Sequence, residues 1–178
     1  MSLITVVTDL GSFQFRLNEA MAPKTCAHFK SVIEAGAYDD ASIFRIVGPP
    51  NHKPGEPNPI EVVQFGPRGC IQSTHVAVPH ESTASTGLKH LKGTVSAARI
   101  DLNRLFGSFF VCMRDEPALD FGAGRHPDRQ GFAAFGEVTS GFEVLERIMA
   151  RAEPSDYLTH EIAIQSVTLD AADDPSSR

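Results

Sequence analysis

The sequence predicts a mainly β domain: a closed barrel or a sandwich of short strands, carrying two helices. Three observations lead there. About eight short runs are rich in β-branched and aromatic residues and are bounded by turn signals. Only two stretches carry helical spacing. No repeat or second unit interrupts the 178 residues, a length that fits one domain. About eight strands is also the count at which side chains alone fill a barrel, with the helices capping its two open ends.

The elements follow in order. Leu3 to Leu10 alternate imperfectly, Gly11-Ser12 signals a turn, and Phe13, Phe15 and Leu17 then alternate with polar residues. This predicts an opening hairpin. Pro23 suits the first position of a helix whose apolar face is Cys26, Phe29, Val32 and Ile33, ended by Gly36. Ser42 to Val47 is a strand without a breaker. Residues 48–59, GPPNHKPGEPNP, are too rich in Pro and Gly to be anything but a loop. Strand character returns at Ile60 to Phe65. Gly66 to His90 is polar with little periodicity. Gly93–Arg99, Ser108–Met113 and Phe132–Val138 are further strand candidates, with a polar loop at Phe121–Gln130. Phe142–Met149 is a short helix, and Ile162, Ile164, Val167 and Leu169 mark a closing strand. The domain is expected over 1–170, with 171–178 a frayed tail.

Composition removes several classes of function. Hydrophobic residues are 42% and charged residues 21%, enough apolar material for a core. No apolar run is long enough for a membrane helix, and the N-terminus does not resemble a signal peptide. A net charge of −6 argues against nucleic acid or an anionic membrane as partner. Three cysteines do not suggest a disulfide framework, so a reducing, cytoplasmic setting is expected. Nothing suggests an obligate partner, and a monomer is expected.

Several stretches, in one order along the chain, carry a resemblance. They are APKTCAHF (Ala22 to Phe29); Ala37-Tyr38-Asp39-Asp40 before SIFRIV; Gly93-Thr94-Val95-Ser96-Ala97-Ala98-Arg99; and Gly107-Ser108-Phe109-Phe110-Val111. Leu119-Asp120, Phe132 to Val138 and Gly141-Phe142-Glu143-Val144 complete the set. The set resembles the cyclophilin family of peptidyl-prolyl isomerases over nearly the whole chain to Leu169. The resemblance implies a closed eight-stranded antiparallel β-barrel capped by two α-helices. It implies binding of proline-containing polypeptides and rotation of the Xaa-Pro bond, in the service of protein folding.

Such rotation makes and breaks no covalent bond, so it needs no nucleophile, metal or cofactor. It needs an apolar pocket for the ring and a donor that favours the twisted state over both planar ones. By resemblance, Arg45 is the catalytic arginine, since a fixed guanidinium can donate to the pyramidal nitrogen or the neighbouring carbonyl. Gln64 matches the glutamine that steadies it and binds peptide backbone. Phe110 matches the pocket floor, and Leu119 and Val62 match its walls. Ala98 and Arg99 match the groove beside it, where backbone pairs with the peptide. The plainer readings are a surface arginine in a salt bridge, ordinary barrel core, and polar strand residues.

The chain departs from the family pattern at several points. The Phe-His-Arg triplet is Ile43-Phe44-Arg45. The 48–59 loop is an insertion that either extends or gates the groove, or is simply tolerated. A further pocket wall falls at Ile60 or Glu61, depending on how that loop closes. Ser108 replaces a glutamine and would reach the peptide only through water. Phe132 replaces a histidine. Ala118 stands where many members carry the tryptophan that helps bind cyclosporin, so weak cyclosporin binding is expected.

Other chemistry has little support. Cys70, His75 and His80, with His52 and His90, match no zinc spacing. Residues 122–125 fail the phosphate-loop pattern, and no GxSxG elbow exists. Cys112 reads as a buried apolar residue. The alternatives to an isomerase are a catalytically weak or inactive proline-peptide binding module on the same barrel and, more distantly, a barrel that holds a small ligand.

Overall fold

The computed structural model describes residues 1–170; the tail expected to fray lies outside the described residues. The opening hairpin forms as its alternation requires, β1 (Leu3–Thr8) pairing with β2 (Gly11–Leu17). Helix α1 (Pro23–Glu34) follows, then β3 (Ala41–Val47), β4 (Val62–Pro67), the two-residue β5 (Val76–Ala77) and the single turn α2 (Thr83–Thr86). The chain continues through β6 (Thr94–Ala97), β7 (Arg104–Leu105), β8 (Phe109–Cys112), β9 (Ala133–Ser140), α3 (Phe142–Met149) and β10 (Tyr157–Asp170).

Eight of these strands close into a barrel in the order β1-β10-β3-β4-β8-β6-β9-β2, with β5 and β7 forming a separate ladder. Every neighbouring pair is antiparallel. The fold is the barrel, not the sandwich. The small ladder and α2 fall in a region whose sequence shows little periodicity, because two-residue strands leave no period to read. β10 begins at Tyr157 rather than Ile162, and β4 at Val62 rather than Ile60.

Inward residues fill the barrel. Phe13, Phe15, Phe65, Phe109 and Phe135 are almost wholly buried. Phe65 stacks on Phe109 at 4.9 Å, and Phe29 of α1 stacks on Phe135 at 4.3 Å. This packed interior answers the small-ligand reading: the space inside the strands is occupied by rings. α3 buries Val144, Leu145 and Ile148 in the same core. It packs by Gly11 at the start of β2, whereas α1 begins shortly after the end of β2, so the two helices close opposite ends. Gly141 before α3 is obligatory: φ is +78°, and a Cβ would stand 2.5 Å from the Ser12 carbonyl.

The N-terminus of α1 is held from a distance. Its flanking residue Ala22 offers no side-chain cap. The Glu81 carboxylate instead accepts from the backbone N–H groups of Lys24 and Thr25, at 3.1 and 2.8 Å, and from Thr25 Oγ1 at 2.7 Å.

A second apolar cluster lies outside the barrel wall. Val62, Phe110, Cys112 and Ala98 alternate with the interior residues of β4, β8 and β6, and pack with Phe44, Val47, Ile60, Phe106 and Leu119. No helix of the described residues is long and apolar enough to cross a membrane.

Candidate active site

The outer cluster is the base of a cavity of about 180 Å³, lined by Arg45, Ile60, Val62, Gln64, Ala98, Arg99, Phe110, Leu119, Arg125, Phe132 and Tyr157 among others. A register shift between Ile43 and Arg45 places Arg45 there. Ile43 opposes Phe65, yet Arg45 opposes Gln64, so Phe44 is an extra residue on β3. Ile43 and Ile46 point into the core, while both Phe44 and Arg45 face outward. A regular strand would have sent one of that pair inward.

The Arg45 guanidinium is fixed on two sides. Nε donates to Asp156 Oδ2 at 2.8 Å, and Nη1 donates to Gln64 Oε1 at 3.3 Å. Its carbon lies 5.5 Å from the centre of the Tyr157 ring, which flanks it on β10. Nη2 has no protein partner among the described residues. Gln64 is steadied in turn: Nε2 donates to Ser108 Oγ at 3.0 Å, and Ser108 Oγ donates to the Phe65 carbonyl at 2.7 Å. Ser108 is therefore not a groove residue. It is fully buried and committed to its neighbours, a correction to the expectation of water-mediated peptide contact; a side chain that short satisfies its hydroxyl inside the sheet.

The floor and far wall are also braced. Phe110 lies between His90, stacked at 6.2 Å, and Phe132, edge-on at 5.6 Å. His90 is buried; Nδ1 donates to Asp120 Oδ1 at 2.8 Å, and Nε2 accepts from Ser96 Oγ at 2.9 Å. Burial opposes ionisation of the Asp120 carboxyl, but the His90 hydrogen bonds outweigh it and hold the group below its usual range. This serine, histidine and aspartate form a sealed strut behind Phe110, because Ser96 has no exposed surface.

Arg99 lines the cavity with its side chain turned into the protein. It makes a bidentate pair with Asp128, both contacts 2.8 Å, and donates twice to the Gly131 carbonyl. Its guanidinium lies 5.2 Å from the Phe132 ring centre. Gly131 has φ +66°, and a Cβ there would meet the Leu119 carbonyl at 2.6 Å, so the turn into Phe132 needs glycine. The Arg99 hydrogen bonds hold the Asp128 carboxyl far below the usual carboxylate range.

Of the two candidates for the further wall, Ile60 is buried in the cavity, whereas Glu61 pairs with Arg114 away from it. Tyr157, Asp156 and Arg125 were not singled out from the sequence. Asp156 follows a Pro-Ser turn, and Arg125 sits in a polar loop, so neither has a periodic signal. The five histidine and cysteine positions weighed for a metal are dispersed: His52, His75 and His80 each bond a different carbonyl, Cys70 is buried, and His90 is in its strut. Among the described residues no cluster could hold a metal ion.

A closed barrel with a cavity on its outer face, beside a braced arginine, agrees with the cyclophilin class of β-barrel. The comparisons place the chain there: it belongs to the cyclophilin type peptidyl-prolyl cis-trans isomerase family, whose model matches residues 3–169. A peptidyl-prolyl cis-trans isomerase of Streptomyces antibioticus is 27% identical over 97% of this chain and 98% of its own. A peptidyl-prolyl cis-trans isomerase-like 1 protein of Aspergillus niger is 30% identical over 79% of this chain and 77% of its own. The fold matches a crystal structure of a Cryptosporidium parvum cyclophilin type isomerase with TM-score 0.73 and 21% identity, covering 96% and 98% of the two chains. A second crystal structure of that protein was determined in the presence of the dipeptide Ala-Pro.

Proposed function

We propose that this cavity binds the proline ring of a polypeptide and that Arg45 drives cis/trans rotation of the preceding bond. The observation that carries the reading is the Arg45 guanidinium, clamped through Nε and Nη1 with Nη2 left for substrate. Rotation must overcome a barrier of about 18–20 kcal/mol arising from amide resonance. At the twisted state the imide nitrogen regains a lone pair. A donor held in place beforehand stabilises that state without reorganising. Phe110, Leu119, Val62, Ile60 and Phe132 supply the apolar walls. Gln64 holds the arginine, and the backbone at Ala98 and Arg99, whose Ala98 N–H is already spent on the Ser108 carbonyl, would pair with the peptide through its remaining groups. The Ala-Pro dipeptide used with the Cryptosporidium relative supports a proline ligand.

The same reading makes 1–170 a single monomeric domain that assists folding in a reducing cytoplasm. The three separate, buried, free cysteines support that compartment.

Exchange NMR on a short Xaa-Pro peptide tests the reading. Wild type should accelerate cis-to-trans exchange. Arg45→Ala should lose about 10²-fold of that acceleration, the worth of a charge-assisted hydrogen bond made only at the twisted state. Binding without acceleration by wild type would leave a proline-peptide binding module instead.

A further inference from the structure

The inserted loop at 48–59 is pinned in place. Asn51 Nδ2 donates to the carbonyls of Ile46 and Glu153, both at 2.9 Å, and Asn51 Oδ1 accepts from Gly48 N–H at 3.1 Å. Farther along, His52 Nε2 bonds the Ile60 carbonyl at 2.8 Å, and Lys53 N–H donates to Glu56 Oε2 at 3.1 Å. The loop then reaches across to the polar loop at 121–130, where Arg125 Nη1 donates to Glu56 Oε1 at 2.9 Å. Between this loop and the turn at Pro154–Asp156 lies a second cavity of about 680 Å³. This cavity and the proline pocket share Arg125 as a lining side chain, and the Asp156 carboxylate, which clamps Arg45, ties the wall of the one to the arginine of the other.

The charges along this second space are unequal in availability. Glu56 is bound by Arg125, which holds its carboxyl below the usual range, and Asp156 is bound by Arg45. Lys53 has no carboxylate within ion-pair distance among the described residues. Both acids are engaged, and the uncommitted charge is a cation. Pro54, Pro57 and Pro154 give the remaining wall a rigid, apolar surface.

We propose that the second cavity is a subsite for the polypeptide flanking the proline, and that Lys53, with Arg125 behind it, selects an acidic side chain there. The inference rests on the proline-pocket reading but concerns a different part of the chain. Extended peptide advances about 3.3 Å per residue, so the test scans several positions on each side of proline, and the preference should appear on one flank only.

The test is a set of Ala-rich peptides with one central Ala-Pro, carrying Glu, Ala or Lys at each of the two to four positions on either side. NMR titration gives affinity and exchange NMR gives turnover. At one flank the Glu peptide should bind about fivefold more tightly than the Ala peptide at low salt, the range of an exposed ion pair, and the Lys peptide more weakly. The preference should collapse at high salt, where screening shortens to a few ångströms. Lys53→Glu, an exposed substitution, should reverse it. Arg125→Gln, which frees Glu56, should abolish it. Equal affinities for all peptides, or a preference unmoved by Lys53→Glu, would overturn the subsite. Binding without a flank preference overturns the subsite alone, binding without accelerated exchange overturns the isomerase reading alone, and failure of every peptide to bind overturns the proline pocket on which both rest.

Discussion

Asp128→Asn removes one carboxylate charge and leaves a side chain of the same shape. The Arg99 side chain is 1% exposed and that of Asp128 is 32% exposed. Removing one partner of a fully buried ion pair costs about 3–5 kcal/mol, because the other charge is left uncompensated. Two features reduce the cost here. Asp128 is partly screened by water, and Arg99 keeps both hydrogen bonds to the Gly131 carbonyl. The expected loss is about 2 kcal/mol, or about 4–8 °C in Tm for a domain of this size. Urea melts at pH 7 measure it. The pH dependence gives a second check. The folded carboxyl ionises far below its unfolded value of about 3.9. Its contribution is therefore complete above pH ~4 and is lost as the pH falls from there towards the folded value. The gap between wild type and variant should narrow steadily below pH 4. Because Arg99 lies against Phe132, the variant should also weaken peptide binding more than it slows exchange at saturation. A gap under about 0.5 kcal/mol at pH 7, or one that does not change down to pH 2.5, would refute the assignment of Arg99 and Asp128 as the brace of this wall.

Three further outcomes are expected. Glu81→Ala should destabilise the fold by about 1–2 kcal/mol in urea melts, since it uncaps α1 from outside the helix; an unchanged midpoint would show that solvent caps the helix equally well. The thiols should resist iodoacetamide at pH 8 until the protein is denatured. Burial pushes Cys26 up to about 12 and Cys70 up to about 11, and Cys112 is raised further; rapid labelling of the native protein would contradict this. Cyclosporin should bind weakly, because Ala118 stands where the resemblance expects a tryptophan; a submicromolar Kd by calorimetry would refute that.

The barrel was legible because its interior follows a two-residue period. Phe13 and Phe15, or Phe109 and Val111, repeat inward at that spacing and are buried as the alternation requires. Helices α1 and α3 were legible for the same reason at a different period, and the single turn α2 was not. The early start of β10 was hidden. Its first residues, Tyr157 to Glu161, read as polar because they lie over the outer face, and only Leu158 among them is buried.

The site was legible only in part, and β3 shows why. SIFRIV looks like an uninterrupted strand, yet its two buried isoleucines stand three apart, which no regular strand allows on one face. That spacing was the available signal for the bulge that turns Arg45 outward. The bulge explains how one short strand can serve the core and the site at once. The partners of Arg45 were a different matter. Gln64 is nineteen residues away and Asp156 more than a hundred, and both reach Arg45 because strands distant in sequence close the barrel beside it. Ion pairs have no sequence period, and each pair needs only two positions, so neither Asp156 nor the Arg125–Glu56 clasp could be read before the barrel was closed. What closure adds is a constraint on the chemistry. Each arginine along the groove already has a carboxylate at hand, so the groove can hold several cations close together without mutual repulsion deforming it. On the proposed reading the donors left over, Arg45 Nη2 and the Lys53 ammonium, are the ones open to a peptide, and for that reason specificity should lie in Lys53 and the loop that carries it.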